Sequence, residues 1–468
     1  MIIIIIIIII AGETMKHITS GTILVTSLLT SAAFASDVYG PYPITLKGYN
    51  GDATNSVAYS GQVGRQLLHN SLKKAISNGA PMNELKAYFN GSDSELPLLD
   101  PVSSADFKVD VSNINDVSKT NLAGKAYGGV INGWPGGMTG KEVLLSMIER
   151  AAQTENGYDA KHGHDYAQLV SKFTMGAVFY HQACDNYLDE KLEADNKPNN
   201  KPYNDKSGTY YTGKEHSWDE GFGYWGAAAH GATLSARQNY DIAKKKDMAA
   251  ADANGDGVVN LKSEMNYAHS YYASAYDKGG VTDYYNTITK AFIDGRQIIT
   301  DANGEALSDS ARSDLKAKAR IICSNWEKVI AESVFKYAGS VYSSLEKLKE
   351  NPGDEALMRK HAKYWGELAG FSLSLHTSGQ NLGELGTRID RLVGFGPVVN
   401  GSKVTGVDPG GNYFVMAEAN ADKEMVHMLK LQKLMVDEFG VTAKNNDKLA
   451  GIANISEVLG AGDSAEND

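Results

Sequence analysis

Chemistry is concentrated in residues 211–230, YTGKEHSWDEGFGYWGAAAH, where His216 sits among Glu215, Asp219 and Glu220 beside two tryptophans and a glycine-rich apolar tail. A helix begun by Thr212, with Glu215 closing a capping box, puts Asp219 and Glu220 three and four residues beyond His216 on the same face. Imidazole with carboxylates then forms a candidate site for a transition metal such as iron or zinc, or for a small ligand. A competing start is written in the same residues. Ser217 and Glu220 can form their own capping box, which opens the helix at Trp218 and leaves His216 outside it. Gly221, Gly223 and Gly226 follow, small enough for a neighbouring helix or a ligand to approach closely.

Residues 252–260, DANGDGVVN, have the first nine places of a calcium-binding EF-hand loop. Asp252, Asn254, Asp256 and Asn260 supply side-chain oxygens at positions 1, 3, 5 and 9, Val258 a carbonyl at position 7, and Gly257 the sharp turn. A hard cation needs that many oxygens. The twelfth place is Ser263, and the carboxylate that would close the site, Glu264, stands one place late. Calcium is the expected cofactor, against the alternative that such Asp-Asn-Gly clusters make turns without metal.

Weaker signals surround these two. In KHGHDY, His162 and His164 are close in sequence but fit a loop and helix cap as well as a metal pair. Trp326 with Glu327, and Trp365 with Glu367, fall in amphipathic helices where tryptophan is expected to be packed with its N–H bonded. The glycines around Trp134 fail the phosphate-loop pattern, and Thr139 with Glu142 reads instead as a capping box. There is no H-E-x-x-H, G-x-S-x-G or dinucleotide fingerprint, so the reading leans away from an enzyme.

The elements that must position these residues are helical. Apolar periodicity predicts helices over residues 62–75, 82–89, 141–153, 165–192, 234–250, 263–275, 284–299, 308–349, 354–375 and 425–439, and no strand-like alternation competes. The expected class is all-α: a large multi-helix bundle, or two packed bundles, with the calcium loop inserted. The predicted organisation is an extended lead-in over 36–60, a helical domain over 61–400, a C-terminal helical segment over 401–449 and a disordered tail over 450–468.

With 468 residues and a formal net charge of -11, the chain can bury a large core, and it shows no basic cluster in sequence. Nucleic acid is not an expected partner. From Met15 the residues MKHITSGTILVTSLLTSAAFA have the form of a secretory signal, with cleavage expected after Ala35. The nine isoleucines ahead of it are too few to span a bilayer, which takes about 20 residues, and read as an over-extended start. The expected location is the periplasm or outside the cell, with no transmembrane span in the mature chain. An oxidising compartment permits Cys184 and Cys323 to pair, and the alternative is two buried thiols.

Six stretches, residues 56–68, 211–226, 252–270, 325–340, 364–375 and 392–399, together resemble an uncharacterised exported bacterial domain family found alongside imelysin-like proteins. The more distant similarity to imelysin-like proteins implies a helical bundle tied to iron uptake or acting as a metallopeptidase, with an outer-membrane or periplasmic uptake partner. Their G-x-H-x-x-E signature is not matched here: two residues separate Gly213 from His216, and Asp219 takes the place of the glutamate. In the hydrolase alternative His216 and Glu220 would do the chemistry. A third alternative is an interaction protein without a small-molecule site.

Overall fold

Helices form where the apolar period demands them, and their ends are set by side-chain caps. In the computed structural model, which describes residues 37–377, 382–452 and 454–460, the chain order is α1 (Ser60–Ser77), α2 (Met82–Asn90), α3 (Gly140–Ala151), a two-strand ladder of β1 (Tyr158–Asp159) and β2 (His164–Asp165), then α4 (Tyr166–Thr174). The path of α4 continues as π-helical turns to Tyr187. Next come α5 (Gly213–Trp225), α6 (Ala236–Ala243), α7 (Met248–Ala251), α8 (Ala268–Asp277), α9 (Tyr284–Asp301), α10 (Asp309–Glu350), α11 (Glu355–Leu375) and α12 (Gly383–Val393). The chain closes with strands β3 (Val398–Val399), β4 (Ser402–Val407) and β5 (Tyr413–Met416), then α13 (Ala421–Phe439) and α14 (Ile455–Gly460). The expected secretory signal and the isoleucine run lie outside the described residues.

The spine is α10, 42 residues long and so about 63 Å from end to end. Ser308 caps it by accepting from the Ala311 amide, and Lys347 and Lys349 meet the negative end of its dipole. Its buried stripe, Leu315, Ala319, Ile322, Trp326, Val329 and Ile330, steps at three and four residues. Helices α9, α11 and α13 pack along it, and α4 packs on α11.

The fold is mostly helical, with two corrections to the all-α expectation. Residues 398–416 form an antiparallel three-stranded sheet, ordered β3-β4-β5, turned at Asp408, whose carboxylate accepts the Asn412 amide. Its strands are too short to show a clear alternation, and β5 leaves Phe414, Val415 and Met416 exposed. The expected helix over 234–250 is broken at Lys245, where φ is +58°, and α8 starts only at Ala268 because the residues before it close the 252–264 loop.

The lead-in is built into the core: Tyr39 and Tyr42 are buried, and Tyr39 stacks on Phe222 at 3.7 Å. At the C-terminal end α14 packs on α13. Cys184, on the π-helical continuation of α4, is joined by a disulfide to Cys323 on α10. Among the described residues, no helix is long and apolar enough to cross a membrane.

Candidate functional site

The start at Thr212 is the one adopted. Thr212 accepts from the Glu215 amide, and Glu215 accepts the Thr212 amide in return at 2.8 Å. Ser217 lies inside the helix, its hydroxyl donating to the Gly213 carbonyl. Gly223 abuts α1: a Cβ there would stand 2.7 Å from that of Gln62, so its smallness serves helix packing.

The three carboxylates of α5 have separate fates. Arg296, fully buried, lies 3.3 Å from Glu215 Oε1 and donates from Nε to Asp219 Oδ1 at 3.0 Å. Asp219 also accepts from the Tyr39 hydroxyl at 2.7 Å and from the Ala58 amide at 2.9 Å, while Thr45 donates to Glu215 at 2.9 Å. Burial pushes the Asp219 carboxyl up to about 6, with Arg296 pulling the other way. This is a dry, paired network. Glu220 turns elsewhere and accepts from Gln62 at 2.9 Å, Tyr187 at 3.1 Å and Tyr203 at 3.0 Å.

His216 stacks on Tyr211, with ring centres 4.2 Å apart, and its Nε2 is 3.8 Å from Glu220 Oε1. Burial lowers the imidazole pKa, with Glu220 opposing. The structure therefore brings His216 to Glu220, while Asp219 is committed to Arg296. His162 and His164 also part ways, the first bonded to Asp159 at 2.7 Å and the second to the Phe395 carbonyl at 2.8 Å.

The loop over 252–264 is wound on its own amides. Asp252 accepts from Gly255 at 2.8 Å, Asp256 at 3.2 Å and Gly257 at 2.9 Å, and Gly257 takes a φ of +89° that favours glycine. Asn254 accepts the Asp256 amide and Asp256 the Val258 amide. Glu264 clasps both ends, accepting Ala253 N at 3.1 Å and Asn260 N at 2.8 Å. Asn260 turns its own oxygen to the Lys262 amide. Among the described residues, no three His, Cys, Asp or Glu side chains gather closely enough to hold a metal ion. A cation here would be held by Asp252 and Asp256 with the neutral oxygens of Asn254 and Val258.

A different cluster emerges only in three dimensions. A cavity of about 450 Å³ between α1, α4, α8, α10 and α11 is lined by Lys73, Lys172, Lys244, Lys245, Lys336 and Lys363, against two carboxylates, Asp100 and Glu367. Lys245 pairs with Asp100; no ion pair holds the other five among the described residues. Lys172 is buried, 4% exposed, and among the described residues it donates only to Ser171 Oγ, at 3.5 Å, while lying 5.3 Å from the Tyr272 ring centre. Burial, then the field of Lys73, drive its ammonium pKa well down, with Glu367 opposing. Lys336 is lowered in the same way, by burial and by Lys278, Lys244 and Lys363 against Glu367. His69, at the cavity edge, is lowered to about 3 by burial and by Lys172. Buried beside them, Gln168 leaves its carbonyl oxygen without a hydrogen-bond partner among the described residues.

Sequence reasoning named Glu367 only as the companion of Trp365 on one helix and missed the lysines, because they come from five separate places along the chain. It expected Trp326 to have its N–H bonded, yet that group is buried with no partner, while Trp365 donates to the Val393 carbonyl at 3.3 Å. Trp365 lines a smaller pocket of about 70 Å³ with Trp134, Tyr166, Phe395 and Tyr413.

Fold and site together define a mostly helical protein with a closed carboxylate–arginine core and an open lysine-lined cavity. Residues 145–357 match the family described as "Domain of unknown function (DUF4856)". No curated protein and no solved structure matches the chain. The matched segment holds α5, the 252–264 loop, both cysteines and four of the six cavity lysines.

Proposed function

We propose that this chain works outside the cytoplasm as a helical binding protein, steadied by calcium in the 252–264 loop, in the uptake or storage of a small ligand. The observation that carries calcium is the winding of that loop. Asp252, half-buried, gathers three successive turn amides, Gly257 makes the bend, and Asn254 and Asp256 remain exposed on the same short segment. With two carboxylates rather than three or four, affinity belongs at the weak, extracellular end, about 0.1 to 1 mM. The cysteine pair supports the export reading, because such bonds persist in oxidising compartments.

At 1 mM calcium the protein beginning at Ser36 is expected to gain about 0.4 to 1.4 kcal/mol of stability. Denaturant melts with calcium and with a chelator measure it, and an equal response from Asp252→Ala/Asp256→Ala protein returns the loop to a plain turn. The imelysin-like hydrolase reading, favoured by the His216–Glu220 approach, needs Glu220 to act as a base. Three donors already hold that carboxylate, so binding is the better-supported reading, and peptide turnover by the metal-loaded protein decides between them.

A further inference from the structure

We propose that the lysine-lined cavity is a binding site for a small multivalent oxyanion, a phosphate ester or a polycarboxylate. The first ground is charge. Six lysines converge on one concavity in a chain whose formal net charge is -11, with Lys172 buried, Lys73, Lys245 and Lys336 half-buried, and Lys244 and Lys363 exposed. Clefts lined by one sign of charge with low-dielectric walls concentrate counter-charged ligands.

The second ground is the absence of internal compensation. Lys73, Lys172, Lys244, Lys336 and Lys363 make no ion pair among the described residues, and Glu367 is the carboxylate whose field reaches both Lys172 and Lys336. At Arg296 the chain neutralises a buried charge with two carboxylates, and buried Lys214 has three backbone carbonyls as acceptors, whereas Lys172 has neither among the described residues. A buried, unpaired ammonium is costly unless something supplies the missing charge. The third ground is independent of charge: Gln168, only 8% exposed, lines the same cavity with an unpartnered amide oxygen. A ligand carrying a hydroxyl or a protonated acid beside its anionic groups would satisfy it.

The size fits. About 450 Å³ lies within the usual range for small-molecule sites, about 300 to 1,000 Å³. Tyr271, Tyr272 and Tyr337 line the walls, and Lys244 lies 4.9 Å from the ring centre of Tyr271 and Lys336 4.8 Å from that of Tyr337. Such rings hold ammonium groups in place by cation–π attraction without cancelling their charge. Lysine suits an anion of variable shape, since its three donors rotate freely on a point charge.

Pyrophosphate and citrate serve as probes in titration calorimetry of the disulfide-intact chain from Ser36, first stripped of calcium on a chelating resin because both probes sequester that ion. One-site binding is expected for at least one probe, weakened at least tenfold when sodium chloride is raised from 50 to 300 mM, the two probes separating phosphate from carboxylate chemistry. Lys336→Met/Lys363→Met should weaken binding at least tenfold with the melt unchanged. Glu367→Gln should tighten it several-fold, an opposite sign that general loss of structure cannot produce. A control with two exposed lysines removed elsewhere, Lys47→Met/Lys290→Met, should bind as the parent does. No one-site binding of either probe below 1 mM, or equal weakening in the control and cavity variants, overturns the proposal.

Discussion

Two regions of this molecule gather charge and treat it in opposite ways. Around α5, Arg296 is enclosed by Glu215 and Asp219, and the remaining lone pairs are taken by Tyr39, Thr45 and the Ala58 amide. In the cavity beside α4 and α10, ammonium groups face one another with little carboxylate between them. The first arrangement is a structural joint that ties the lead-in to α5 and α9. The second is left incomplete by the chain itself, which is the physical mark of a place meant for something else. A high density of charged residues in sequence thus marked the closed region, and the open one was invisible there.

The sharpest way to break this comparison is to remove one cation from each side. Arg296→Met strands two buried carboxylates and is expected to cost about 3 to 5 kcal/mol in chemical denaturation. Lys172→Met removes a cation that already lacks a partner, and should leave stability unchanged or raise it. If both variants lose several kcal/mol, the cavity lysines are structural after all and the contrast fails.

Cys184 and Cys323 connect the continuation of α4, which carries Lys172, to α10, which carries Lys336. Opening this bond with a Cys184→Ser/Cys323→Ser pair should cost about 2 to 4 kcal/mol, read as a lower denaturant midpoint. The cavity should loosen while the Arg296 network, lying on α5 and α9, keeps its amide protection in hydrogen exchange. Uniform loss of protection across both regions would show that they are not separate units.

Protonation gives a third probe. His69 is held at about 3, and His164 and His361 at about 4, each chiefly by burial. Their ordinary value is near 6.5, so as pH falls below it the unfolded chain takes up protons that the folded chain refuses. Each imidazole therefore removes up to about 1.4 kcal/mol per pH unit between 6.5 and its folded value, and stability is full only above about 6.5. Lys172 contributes to the depression at His69, so pyrophosphate in the cavity should raise the His69 pKa and soften the acid limb. Proton titration by NMR reads this at His69, with His361 as the unaffected comparison.

Much of the helical frame was legible because its signals are local. The predicted 82–89, 308–349 and 354–375 fall almost on α2, α10 and α11, and the capping boxes at Thr139 and Thr212 both formed. The sheet over 398–416 was not legible, since its strands of two to six residues carry too few alternations to register. Nor was the cavity. Lys73, Lys172, Lys336 and Lys363 stand on four different helices, so no spacing joins them, and Lys244 and Lys245 lie where the helix expected over 234–250 breaks. Tyr39, Thr45 and Ser56 gave no sequence sign of serving α5, because a hydrogen bond spanning about 160 to 180 residues leaves no spacing to detect.

The smallest effect isolates the start of α5 from the network beyond it. Thr212 is fully buried; it accepts from the Glu215 amide and donates to Asn199 at 2.7 Å. Thr212→Ala removes the cap and strands the Asn199 oxygen, for an expected loss of about 0.5 to 2 kcal/mol. Ser217→Ala deletes only a hydroxyl that donates back to the Gly213 carbonyl, a bond that contributes little to a helix, so its change should stay within about 0.5 kcal/mol. Paired denaturation curves decide the order. Because Glu215 closes the cap and also lies beside Arg296, Thr212→Ala made in an Arg296→Met background should cost less than it does alone, the coupling expected of residues that share one carboxylate. Additive losses would mean that the cap and the buried charge network are independent, and that Glu215 belongs to only one of them.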